Sequence, residues 1–129
     1  MIAQAQTADG VYTLDLDDES IVSFEDDASL EQAPDVAVPL PRVVRAVGAG
    51  STVVAVVDAK PPLLVSHDGG RTWRESGRGL PPGRAVAISE DDPDVVLFGA
   101  RNRLYLSVDG GRFWRSLAFE LPEIAAVSF

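Results

Sequence analysis

Cysteine is absent from this chain of 129 residues, and histidine, lysine and methionine occur once each. The first absence excludes a disulfide framework, thiolate zinc sites and a thiol nucleophile. With His67 alone, one chain cannot assemble a histidine metal cluster or a Ser-His-Asp triad. Long apolar runs are also missing, so no segment reads as a membrane span. The opening "MIAQAQTADG" has neither a basic nor an apolar signal region, which makes the cytoplasm the expected location. Positive charge is scarce too: 10 Arg and Lys60 face 13 Asp and 7 Glu, for a net charge of −9. Such a surface repels phosphate backbones, so nucleic acid is not an expected partner.

What is present is a core-forming composition and a repeat. Apolar residues make up 46% of the chain, enough for one domain with its own core. The stretch "SHDGGRTW" (Ser66 to Trp73) returns 41 positions later as "SVDGGRFW" (Ser107 to Trp114). The same shift lays "DVVLFGARNRLYLS" over "VVAVVDAKPPLLVS", placing Phe98 on Val57 and Leu104 on Leu63. Leu-Pro pairs at Leu40, Leu80 and Leu121 mark the same period, and each precedes a short apolar run. Proline lacks an amide donor and is tolerated at a strand entry, so each pair reads as the lead-in to a strand.

One period holds four short strands: Ala85–Ser89, Val95–Ala100, Leu104–Ser107 and Phe113–Ser116. "EDDPD", "RNR" and "DGGR" separate them as turns, and no helix-length amphipathic segment occurs. Four strands in some 40–45 residues is the signature of a β-propeller blade. Residues 1–42 carry a fainter copy, with Val11-Tyr12 where Leu104-Tyr105 stand and "IVSF" as a fourth strand. The stretch "EDDASLEQAPDVAVP" that follows is longer and more acidic than its counterparts, and reads as a surface loop with freedom to move.

The two octapeptides resemble the Asp-box, or BNR repeat, Ser-x-Asp-x-Gly-x-Thr-Trp. The first matches at Ser66, Asp68, Gly70, Thr72 and Trp73. The second keeps Ser107, Asp109, Gly111 and Trp114, with Phe113 in the threonine place. The resemblance covers residues 43–129 well and 1–42 faintly. Glycine pairs permit positive φ in a tight hairpin. Aspartate accepts hydrogen bonds from turn amides, and tryptophan fills space between sheets. The motif therefore reads as a folding device rather than as a ligand or metal site. His67 falls in its variable slot and is expected at the surface. Separately, the Asp-rich, Lys-poor composition is similar to that of proteins from salt-loving archaea, where salt screens carboxylate repulsion. An ordinary acidic protein from a GC-rich genome is the alternative.

The expected fold is all-β, with three four-stranded blades per chain. Residues 1–42 form a divergent blade lacking its innermost strand. Residues 43–79 and 80–120 form two Asp-box blades, and residues 121–129 supply an innermost strand for a neighbouring blade. Propellers usually need at least four blades, so three would leave an unpaired edge and apolar flanks. The expected remedy is a homodimer forming a six-bladed ring, residues 124–129 of each copy completing the first blade of the other.

For function, the expectation is a non-enzymatic scaffold or binding protein that needs no cofactor and takes a protein or small anionic ligand. The Asp-box resemblance also implies an alternative, a sialidase-like glycoside hydrolase. That chemistry requires an arginine cluster, a Tyr-Glu pair and a further acid from several blades, whereas Tyr12 and Tyr105 are both repeat residues. Arg71, Arg112, Arg74 and Arg115 flank the tryptophans and are expected to pair with carboxylates. Arg42, Arg45 and Arg84 lie at or near innermost strands and are candidates for a channel-mouth site. Lys60, Arg101 and Arg103 are candidates on the loops between second and third strands.

Overall fold

A computed structural model describes residues 1–129. Twelve strands run in chain order: β1 (Ile2–Thr7), β2 (Gly10–Asp15), β3 (Ser20–Asp26), β4 (Val43–Ala49), β5 (Thr52–Val57), β6 (Leu63–Ser66), β7 (Arg74–Ser76), β8 (Ala85–Ile88), β9 (Val96–Ala100), β10 (Arg103–Ser107), β11 (Arg115–Ser116) and β12 (Ile124–Ser128). They form three four-stranded antiparallel sheets and no helix: β4-β5-β6-β7, β8-β9-β10-β11, and a terminal sheet ordered β12-β1-β2-β3. The sheets are open and do not close into a ring. No helix is long and apolar enough to cross a membrane.

Alternation of side chains explains how the sheets stack. The β8-to-β11 sheet lies in the middle and is apolar on both faces. Ala85, Ala87, Leu97, Leu104 and Leu106 point toward the terminal sheet, where Ala3, Ala5, Leu14, Ile124 and Val127 meet them. Val86, Val96, Phe98 and Ala100 point the other way, onto Val47, Val54, Val56, Leu63 and Val65 of the first sheet. A strand buried on both sides loses the apolar/polar alternation of a half-exposed one, and β5 and β9 are buried at every position.

The expected exchange of residues 124–129 between two copies is not needed to complete the terminal sheet. β12 pairs with β1 of its own chain, in the register Gln4↔Ser128, Ala5↔Val127 and Gln6↔Ala126. The expectation rested on greasy flanks needing a second copy; the single chain covers part of them, while Ile21, Val22 and Phe24 of β3 stay exposed. On the terminal sheet's outer face, Gln4 and Gln6 alternate with the inward Ala3 and Ala5. Gln4 Nε2 donates to Thr13 Oγ1 at 3.4 Å, and Gln6 Oε1 accepts from the Leu30 amide at 2.8 Å. On the first sheet's outer face, Ala46, Ala55 and Val57 lie beneath Val38 and Leu40 of the segment between β3 and β4.

That segment lies at the surface as expected, and it is also tethered to the first sheet. The Val36 amide donates to the Ala46 carbonyl at 2.9 Å, which joins the segment to the open edge of β4. Asp35 sits 3.1 Å from Arg45 Nη1. The fourth strand of the second repeat is shorter than expected, Arg115–Ser116 rather than Phe113–Ser116. The Phe113 amide is held by Asp109 Oδ1 at 3.1 Å, so it belongs to the turn and not to the ladder.

Candidate site between the two octapeptide turns

Each octapeptide closes on itself through one serine and one aspartate. In the first, the Ser66 hydroxyl donates to Asp68 Oδ1 at 2.8 Å and accepts from the Gly70 amide at 2.8 Å. Asp68 Oδ1 also accepts from the amides of Arg71 (3.1 Å) and Thr72 (2.9 Å), while Oδ2 accepts from Thr72 Oγ1 at 2.6 Å. The second turn repeats the scheme. Ser107 donates to Asp109 Oδ1 at 2.8 Å and accepts from the Gly111 amide at 2.8 Å, and the Arg112 amide reaches Asp109 at 3.1 Å. The glycine pairs have φ of 73° and 93° in the first turn and 75° and 86° in the second, which is why glycine stands there.

Both aspartates titrate below the ordinary carboxylate range. For Asp68 the Thr72 hydroxyl is the largest cause, followed by the Thr72 amide and the Ser66 hydroxyl. For Asp109 the Phe113 amide leads. Donors aimed at the ionised form stabilise it, so each carboxylate is engaged by its own turn.

The tryptophans differ, and the difference brings in a residue that the motif does not announce. Trp73 Nε1 donates directly to the Gly70 carbonyl at 3.0 Å. Trp114 Nε1 donates to Ser76 Oγ at 2.9 Å, and Ser76 donates onward to the Gly111 carbonyl. A buried hydroxyl from β7 is thus inserted into the second turn and fastens the first sheet to the middle one. Ser76 carries no sequence signal beyond its place in a strand. Its role emerges only when the two sheets meet.

Between the turns lies a cleft of about 410 Å³. His67 borders it, exposed as expected, with its ring against the next turn: a Cβ added at Gly110 would meet His67 Cε1 at 2.9 Å. Arg74 and Arg112 stand on the cleft walls, with Asp68 and Glu75 nearby.

The basic residues expected at a channel mouth are not gathered into one site. Arg45 is largely buried, paired with Asp35 and donating to the Ala33 carbonyl, so it clamps the docked segment. Arg84 pairs with Glu123 at 3.7 Å and shares a shallow cleft with Arg101. Arg42 lines neither that cleft nor the one between the turns. Arg103 pairs with Glu120 at 3.8 Å, and Lys60 borders a separate hollow with Arg78 and Glu75. Among the arginines flanking the tryptophans, Arg115 meets Glu19 at 3.3 Å, while Arg71, Arg74 and Arg112 have no ion partner.

Comparison with protein-family models, with curated proteins and with solved structures returned no match for this chain.

Proposed function

We propose that this chain is a non-enzymatic binding or scaffold module of the Asp-box β-propeller kind, its three sheets serving as three blades. The engagement of Asp68 and Asp109 by their own turns carries the reading. Both repeat carboxylates accept hydrogen bonds from several local donors and are held ionised, which suits a structural staple and not a general acid. The 41-residue repeat, the four-stranded antiparallel sheets and the last strand, which completes the terminal sheet, support the propeller relationship. A rigid stack of sheets with loops at its ends presents surface for recognition, and the identity of what it recognises depends on those loops.

Affinity capture of the tagged chain from its native cell, followed by gel filtration, tests this reading. A partner or ligand retained in fixed stoichiometry is the expected result. Robust turnover of sialosides or aryl glycosides by the purified chain would overturn it.

A further inference from the structure

We propose that the cleft between the two octapeptide turns binds a small oxyanion, a ligand bearing a phosphate or carboxylate group, through Arg74 and Arg112. The proposal gives the binding-module reading a ligand class and rests on it.

Charge placement carries the argument. The chain is strongly acidic, at −9, yet Arg74 and Arg112 line the same cleft and neither is in an ion pair. The repeat supplies an internal comparison. Arg115, the counterpart of Arg74 one period later, is paired with Glu19, whereas Arg74 is unpaired and borders the cleft. Two further cations, Lys60 and Arg78, lie in the hollow that Glu75 also borders. Four cations thus border two neighbouring hollows that share Glu75.

Two carboxylates, Asp68 and Glu75, also line the cleft. Asp68 turns its oxygens onto Ser66 and the Arg71 and Thr72 donors of its own turn. Glu75 is the opposing charge left, and it makes no ion pair. Val65 is the one apolar residue lining the cleft, which fits a hydrated anion better than a greasy ligand. Two guanidinium groups offer planar, forked donors suited to phosphate or carboxylate oxygens.

Amide-resolved NMR titration of the intact chain tests the site, using inorganic phosphate in one arm and acetate in the other. Ionic strength is held constant with chloride. Saturable shifts at Gly70, Gly110 and Gly111 are expected, and the arm with the tighter binding identifies the oxyanion. Arg74→Gln and Arg112→Gln should each weaken binding about tenfold. Glu75→Gln should tighten it, and Arg42→Gln should leave it unchanged. Unshifted amides in the strands of each variant report an intact fold. Shifts that chloride reproduces, or binding that survives both arginine replacements, would overturn the proposal. A negative result here would leave the scaffold reading to stand or fall on partner capture.

Discussion

Ser76 Oγ accepts a hydrogen bond from Trp114 Nε1 at 2.9 Å across two sheets, standing where the first turn has a direct bond from Trp73 to a glycine carbonyl. The hydroxyl is buried, so its removal leaves an indole donor and the Gly111 carbonyl without a partner. Ser76→Ala is expected to cost about 1–3 kcal/mol, the penalty for stranding a buried polar group. Trp114→Phe removes the donor and keeps much of the ring. A double-mutant cycle in urea should show that the two losses do not add. Additive losses would mean that the relay contributes nothing.

The aspartate staples set a direction for acid sensitivity. The folded pKa of Asp68 lies below its unfolded value, so the unfolded chain binds the proton more readily. Its contribution is present in full above about pH 4 and falls away as the pH drops toward the folded value. Asp109 acts in the same sense. Asp68→Asn should be less stable than the parent at neutral pH, and the gap should narrow under acid. Urea midpoints measured at several pH values would decide this; a gap independent of pH would contradict it.

Salt should stabilise the molecule. A net charge of −9 is relieved by few ion pairs, and self-repulsion is screened at high ionic strength. Thermal midpoints are expected to rise steadily with potassium chloride. A flat or falling trend would remove the basis for the likeness to proteins from salt-loving cells.

Val38 and Leu40 cover the apolar face formed by Ala46, Ala55 and Val57. With that cover in place, light scattering should give the mass of one chain, 13.7 kDa. Replacing both residues with aspartate should uncover the face and promote association that grows with concentration. A parent chain that runs as a stable pair would instead indicate that β12 crosses between copies, because its local contacts would be the same in an exchanged dimer.

The architecture was legible because repeats and alternation are local signals. The octapeptides, the Leu-Pro pairs and the runs around Phe98 and Leu104 located the strands to within a residue or two at most ends. At the start of β11 the difference is two residues, because the Phe113 amide answers to Asp109 rather than to a neighbouring strand. What stayed hidden depends on contacts distant in sequence. The Leu-Pro period marks Leu40 as a strand lead-in and not as a cover, nothing periodic marks Val38, and nothing marks Arg45 as the clamp that holds the segment. The site was half visible for the same reason. Arg74 and Arg112 stood out as repeat residues, but their place on one cleft follows from stacking, not spacing.

The pairing of β1 with β12 also constrains how the molecule is made. Residues from opposite extremes of the sequence must find each other before the terminal sheet has four strands. Contacts this remote carry a high entropic toll in the unfolded chain and slow the search for the native state. The two repeat hairpins can assemble early from nearby sequence, while the sheet that joins head to tail waits to the end. Maturation should therefore be limited by one late zippering event, with the early sheets already standing as its template.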